Sequence, residues 1–289
     1  MNKTKLKWLP EMLYLVTAVI SVFAFASFSY AQEKVIWSVA DRPTSYILHG
    51  KDKGKGVVDE VYKLLQTNLN QYQHENIKMN FSRVLREMKN GKKICSCGFK
   101  STGREELGYF SKPAIIALPF SVIVKKGRLK KIYGDVKSLS LAQLFQNSDL
   151  KGGVTMKRSY GGITPMIDEQ ERKGKLLSHT TTEGLLKMIT RGRVDYAIEI
   201  PSFANYISKQ FELDKGLESY AINENKAQVL IAYIFCTRNE WGRKIIEDID
   251  TILEKQRSSA SYLEYLVRWY DDRSRLIISD YHQQSFTDN

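Results

Sequence analysis

The chain has 289 residues, of which 43% are hydrophobic and 26% are charged, and its formal net charge at pH 7 is +12. This composition is typical of a globular protein and excludes a disordered or low-complexity chain, and the length allows two ordinary domains. The basic residues are spread along the whole chain, which favours a solvated basic surface over a nucleic-acid-binding patch.

The first 31 residues have the pattern of a secretory signal peptide. Lys3, Lys5 and Lys7 precede an apolar run over residues 12–28, and Ser29-Tyr30-Ala31 follows, with small residues at positions 29 and 31. We therefore predict a signal peptide over residues 1–31, export to the periplasm and no lipoprotein cysteine at the cleavage point. The alternative is an uncleaved membrane anchor, because residues 12–31 are nearly long enough to span a bilayer.

The next segments predict alternating strands and helices. A β-prone run at residues 35–40 is followed by a loop and then by a helix whose apolar residues, from Val57 to Leu65, share one face. A second strand is expected near residues 77–81. The helix, glycine turn and buried strand that follow, the strand over residues 94–99, have the order of a βαβ unit.

Three cysteines, Cys95, Cys97 and Cys236, are present. Successive side chains of a strand point to opposite faces of the sheet. Cys95 and Cys97, two residues apart, therefore lie side by side on one face and cannot easily bridge each other. One of them can pair with Cys236 if their strands are adjacent, and the alternative is three buried thiols. The histidines are scattered, so we predict neither a metal site nor a cofactor.

The stretch most informative about function is residues 98–113, with the sequence G-F-K-S-T-G-R-E-E-L-G-Y-F-S-K-P. It follows a buried strand and carries Arg104, whose guanidinium can hold a carboxylate through two parallel hydrogen bonds. Residues 114–124 are almost wholly apolar. Further on, a strand and turn at residues 151–161 precede a helix, a G-R-V-D turn and a strand that ends near Glu199. A helix is also predicted over residues 240–255, where Ile245 and Ile249 share an apolar face, and Tyr262 and Trp269 after it are expected to pack a helix and not to bind a ligand.

This succession of segments resembles the family 3 periplasmic solute-binding proteins, the polar amino-acid receptors of ABC transporters. In that family a strand ends in G-[MIL]-[TS]-x-T-x-E-R, and F-S-x-P-Y follows at the spacing seen here. The resemblance covers the chain from residue 32 to Tyr270. It implies an α/β fold of two lobes, each a βαβ sandwich, joined at a hinge by two crossover strands. Lobe 1 would comprise residues 32–116 and 232–289, and lobe 2 residues 117–231.

The resemblance also implies a ligand site between the lobes. Arg104 would hold the ligand α-carboxylate and Glu199 the α-amino group, while Ser159 would open a second-lobe helix whose N-terminus meets the ligand. Lys157 and Arg158 favour an acidic ligand if they face the cleft, and are surface charges if they do not. The predicted ligand-binding residues are Tyr46, Ser101, Thr102, Arg104, Arg158, Ser159 and Glu199.

Several positions depart from the family pattern. Thr44 replaces an aromatic residue, Ala114 and Ile115 replace two tyrosines, and Glu199 is one residue closer to Asp195 than the usual acid. Asp195 itself is expected to be structural. A shift of one residue would turn the Glu199 side chain to the other face of the strand.

The predicted function is that of a monomeric receptor that closes on an amino acid or similar small carboxylate and delivers it to an ABC permease or a signalling receptor. One alternative is a sensory or accessory protein with a diverged cleft. A second is a secreted dehydratase of the same fold, with Glu199 or Glu105 as the acid or base. We predict no enzyme activity, because the sequence has no G-x-S-x-G elbow, no Cys/His pairing and no metal cluster.

Overall fold

The computed structural model describes residues 32–156, 158–213, 216–225 and 227–287. The predicted signal peptide, residues 1–31, and Lys157 lie outside the described residues. Within these ranges, none of the helices combines the length and the apolar composition needed to cross a bilayer.

Strands and helices alternate along most of the chain. The strands are β1 (Lys34–Val39), β2 (Gln73–Lys78), β3 (Ile94–Gly98), β4 (Gly108–Ala117), β5 (Ser121–Lys125), β6 (Ser138–Leu139), β7 (Gly152–Thr155), β8 (Leu176–His179), β9 (Tyr196–Glu199), β10 (Leu217–Ile222) and β11 (Leu230–Thr237). The helices are α1 (Val57–Asn68), α2 (Phe81–Lys89), α3 (Thr102–Glu105), α4 (Lys130–Tyr133), α5 (Leu141–Gln146), α6 (Thr164–Arg172), α7 (Thr182–Thr190), α8 (Pro201–Gln210), α9 (Glu240–Gln256), α10 (Ala260–Val267) and α11 (Asp272–His282).

These strands form two separate sheets. The first has the order β2-β1-β3-β11-β4, with β1 parallel to both of its neighbours and β11 antiparallel to β3 and β4. The second has the order β6-β10-β5-β9-β7-β8. The first sheet thus takes strands from both ends of the described chain and the second from its middle, which confirms the predicted two-lobed α/β fold. The proposed extents remain residues 32–116 and 232–289 for lobe 1 and residues 117–231 for lobe 2.

The core of the first lobe is built by helices that pack on the first sheet. Helix α1 buries Val61 and Leu65 against Trp37 of β1, and α9 buries Ile245 and Ile249 in the same cluster. Each such side chain contributes about 1.5–3 kcal/mol when it is removed from water. The apolar spacing that predicted α1 and α9 is therefore the spacing of residues that face the core.

The second strand lies earlier than predicted. It ends at Lys78, and α2 begins at Phe81 because the Asn80 side chain accepts a hydrogen bond from Arg83 N at 2.8 Å. This is a helix N-cap, which ends the extended segment. The predicted strand near residues 77–81 is therefore wrong from residue 79 onward, since Asn80 caps α2 and Phe81 begins it.

Cys95 and Cys236 form a disulfide in the centre of the first sheet. They lie directly opposite each other on β3 and β11, with a Cα–Cα distance of 4.1 Å. This is one of the pairings that the sequence left open. Cys97 is a free, half-buried thiol, and its burial raises its pKa to about 12.

Helix α11 was not predicted, and it lies where the two sheets are joined. Asp271, at its N-cap, accepts a hydrogen bond from Ser219 Oγ of the second sheet at 2.7 Å. The guanidinium of Arg273 lies over the ring of Tyr220, with its carbon 4.4 Å from the ring centroid. Ile278 of the same helix is buried in the core of the first sheet, so α11 contacts both sheets.

Candidate functional site

Arg104 lies on the short helix that follows β3. Its guanidinium donates to the carbonyl of Phe99 at 2.6 Å and stacks on the ring of Phe81, with its carbon 4.6 Å from the ring centroid. Among the described residues, no carboxylate lies within ion-pair distance of this guanidinium. One face of the group is thus held by an aromatic ring, and its remaining N–H donors can serve an anion.

A second cation lies in the same loop. Lys100 Nζ is 4.4 Å from the ring centroid of Tyr233, and the Phe99 side chain beside it is 43% exposed. In the part of the chain that the structure describes, no acidic side chain forms an ion pair with Lys100. The loop after β3 therefore presents two positive charges supported by aromatic rings, a combination suited to an anionic ligand.

The other residues predicted for the first lobe differ in accessibility. Ser101 is exposed, and its carbonyl accepts from Arg104 N at 2.9 Å, which starts α3. Thr102 begins that helix, and its side chain is outside the described set. Tyr46 is 7% exposed in the first core, with its hydroxyl 3.4 Å from that of Tyr62. Because burial raises the pKa of both phenols, each remains neutral.

Glu199 is the last residue of β9 and is fully buried. Its carboxylate accepts hydrogen bonds from Arg158 Nη1, from Thr182 Oγ1 at 2.8 Å and from Ile200 N at 2.7 Å. Burial raises the pKa of Glu199, and the Arg158 charge opposes that shift. The carboxylate is therefore occupied by groups of its own lobe.

Arg158 lies between this carboxylate and two aromatic rings. Its guanidinium carbon is 5.1 Å from the ring centroid of Phe120 and 6.0 Å from that of Phe203, and its side chain is 25% exposed. Ser159 is exposed next to it. The α-helix does not begin at Ser159 but at Thr164, after a 3₁₀ turn over Gly161–Ile163.

The Arg158–Glu199 pair lies beside the junction of the two lobes. Just after Glu199, Ser202 Oγ accepts a hydrogen bond at 2.9 Å from Thr44 Oγ1 in the first lobe, and both residues are buried. Phe120 lies in the first connection between the sheets. Arg104 and the Arg158–Glu199 pair belong to different lobes, and no contact between described residues joins them.

The sequence analysis did not single out several residues of this site. Phe81 and Lys100 flank Arg104, while Thr182 and Phe120 flank Arg158. Thr182 carried a weak signal, since it stands in a Thr-rich helix start. The aromatic residues carried none, because an aromatic ring near a helix or strand end is as often a core residue.

A cavity of about 510 Å³ lies elsewhere, at the opposite end of the second sheet, and Tyr196, Lys151 and Arg193 are among the residues that line it. It is where β7 and β9 begin, whereas Glu199 is where β9 ends. Asp195 at this far end accepts from Arg128 Nη2 at 2.7 Å and from Lys151 N at 2.9 Å. No group of His, Cys, Asp or Glu side chains suited to a metal occurs in the described ranges.

Comparison with known proteins gives a fold but no family, since no family model and no curated protein sequence matches the chain. Three solved structures illustrate the likeness. A probable amino-acid ABC transporter extracellular-binding protein, ytmK from Bacillus subtilis, is 18% identical with a TM-score of 0.57, covering 83% of this chain and 99% of its own.

The second substrate-binding domain of a putative amino-acid ABC transporter from Streptococcus pneumoniae is 13% identical with a TM-score of 0.59, covering 83% and 100% of the two chains. A histidine kinase sensor domain similar to periplasmic binding proteins is 15% identical with a TM-score of 0.52, covering 82% and 96%. At these identities the likeness establishes the fold alone. The chain has the two-lobed fold of the periplasmic binding proteins.

Proposed function

We propose that this protein is an extracytoplasmic solute-binding receptor whose lobes close on an amino acid or similar small carboxylate. The observation that carries the proposal is Arg104, which is stacked on Phe81 and has no described acidic partner. The fold supports it, since amino-acid transporter binding proteins are among the structures that share it.

The two connections between the sheets are the proposed hinge. A ligand held by Arg104 of lobe 1 and by groups of lobe 2 makes all of its contacts only when the lobes are closed. Binding therefore stabilises the closed form by the free energy of the contacts that the open form lacks. Ser101 and Ser159 are exposed and are the proposed hydroxyl donors from the two sides.

Membership of family 3, delivery to an inner-membrane ABC permease and a periplasmic location after removal of residues 1–31 belong to the same proposal. The absence of catalysis stays a prediction. A second candidate is a sensory role, in which closure signals to a receptor. It is favoured by the sensor domain among the structures of the same fold.

The test is a thermal-shift screen of the purified protein against amino acids, dicarboxylates and small peptides. A ligand at a hundredfold excess over its Kd stabilises the native state by about 2.7 kcal/mol. Charge-assisted hydrogen bonds are worth about 2–3 kcal/mol, so Arg104→Ala should weaken binding by roughly 30- to 150-fold.

Arg243→Ala is the matched control, because Arg243 is an exposed arginine on α9 that pairs with Glu247 one turn later. It should bind the ligand like the wild type. Unchanged affinity in Arg104→Ala would refute the assignment of Arg104, and no shift with any compound would refute the receptor proposal.

A further inference from the structure

We infer that the cleft takes an organic carboxylate without an ammonium group, in preference to a zwitterionic α-amino acid. The inference rests on the proposed function and narrows its ligand class. The observation behind it is the Arg158–Glu199 pair, in which a cation of the protein occupies the acid that would otherwise receive a ligand ammonium group.

Glu199 has little capacity left for a ligand. One oxygen accepts from Arg158 and Thr182, and the other accepts from Ile200 N. The residue is fully buried, so a ligand group reaches the carboxylate only if Arg158 leaves. Moving Arg158 away would break a buried ion pair and leave a buried charge uncompensated, which is strongly unfavourable.

An ammonium group that entered beside the intact pair would also meet Arg158 itself. The Arg158 side chain is 25% exposed, whereas that of Glu199 is 1% exposed, so the guanidinium is the part of the pair that a ligand meets first. Like charges at close range repel, and the effect is larger in a partly dry cleft than in water. The pair thus disfavours a cationic ligand group even though its net charge is zero.

The first lobe contributes positive charge without compensation. Arg104 and Lys100 both lie against aromatic rings, and neither has an acidic partner among the described residues. Counted with Arg158 and Glu199, these side chains have a net positive charge, since three of the four are cations and one is an anion. The complementary ligand has a net negative charge, as a mono- or dicarboxylate does and a neutral zwitterion does not.

The test compares ligands that differ by one ammonium group. Binding of glutarate and L-glutamate, of succinate and L-aspartate, and of 3-phenylpropionate and L-phenylalanine is measured by titration calorimetry on the wild-type protein. We expect the compound without the ammonium group to bind at least tenfold more tightly in whichever pair binds. This comparison needs no variant, so it stands even if a variant fails to fold.

Glu199→Gln supplies the second arm. We expect it to raise the affinity for the deaminated ligand severalfold, because Arg158 loses its counter-ion and becomes available to the ligand. Asp195→Asn is the matched control, being the same change of carboxylate to amide at the opposite end of β9. It should not alter the preference between the two ligands of a pair.

The outcomes separate the inference from the proposed function. An amino acid that binds more tightly than its deaminated analogue would overturn the inference and leave the receptor function standing. Loss of that advantage in Glu199→Gln would identify Glu199 as the partner of the ammonium group. Binding of no carboxylate of either kind would refute the proposed function, and the inference with it.

Discussion

The disulfide between Cys95 and Cys236 provides a prediction about stability that can be tested without knowing the ligand. Both residues are fully buried, and they join the third and eleventh strands across a sequence separation of 141 residues. In the chain-entropy model, a cross-link of this separation removes enough freedom from the unfolded chain to stabilise the native state by about 5 kcal/mol. Measured losses on removing native disulfides are about 2–5 kcal/mol.

The assay is equilibrium unfolding in urea with and without reductant. For the wild type we expect reductant to lower the free energy of unfolding by about 2–5 kcal/mol. Cys97→Ala is the control and should keep this difference, because Cys97 is the free thiol. The double variant Cys95→Ala/Cys236→Ala should show no effect of reductant.

Two results would refute the reasoning. Equal stability of the wild type in both conditions would mean that the chain is not cross-linked. A reductant effect that disappears in Cys97→Ala would mean that Cys97, and not Cys95, is the partner of Cys236.

The remaining predictions concern two glutamates. Because the pKa of Glu199 is raised above its ordinary value of 4.5, its protonation stabilises the fold, and this contribution is lost as pH rises through the raised pKa. Arg158 and Tyr160 are the other ionisable side chains that face Glu199. Neutral Glu199 frees Arg158, so carboxylate affinity measured by calorimetry should rise as pH falls through the raised pKa of Glu199, and Glu199→Gln should abolish this rise. The Glu224 carboxylate accepts hydrogen bonds from the first two N–H groups of α5. Glu224→Ala should lower the free energy of unfolding, measured in urea, by about 1 kcal/mol, whereas the exposed control Glu169→Ala should lower it by less than about 0.5 kcal/mol. Burial opposes ionisation of Glu224, but the hydrogen-bond donors outweigh it and lower the pKa of Glu224. The stabilisation by Glu224 should therefore be complete above its ordinary pKa and be lost as pH falls through the lowered pKa. A destabilisation by Glu224→Ala that persists at low pH would contradict this expectation.

Much of the fold was predictable because local patterns coincide with tertiary packing. The apolar face of α9 was read from its spacing, and the structure buries the same residues, Ile245 and Ile249. Tyr262, expected to pack and not to bind, is 1% exposed in the first core. In both places the periodicity of the side chains is enough, since an amphipathic helix has one face that must be buried.

Side-chain accessibility was less predictable. Tyr46 was expected to form part of the ligand wall, but the structure places its ring in the core against Tyr62. The reason is the loop, whose Thr44 and Ser45 carbonyls accept from the first two N–H groups of α1 and so draw the following residue inwards. The residue types of the loop do not predict these hydrogen bonds to the N-terminus of α1, because they depend on the tertiary structure.

The amino-acid sequence by itself indicated the alternation of strands and helices over most of the chain, because this depends on local periodicity. The resemblance of its short motifs to the family 3 receptors implied the two-lobed α/β fold and pointed to Arg104, which follows a buried strand. Tertiary structure alone decided which cysteine pairs with Cys236, since that depends on strand adjacency and register. It also decided that Arg158 meets Glu199, two residues 41 positions apart in sequence. Electrostatic partners are set by distances in space, and no local pattern encodes them.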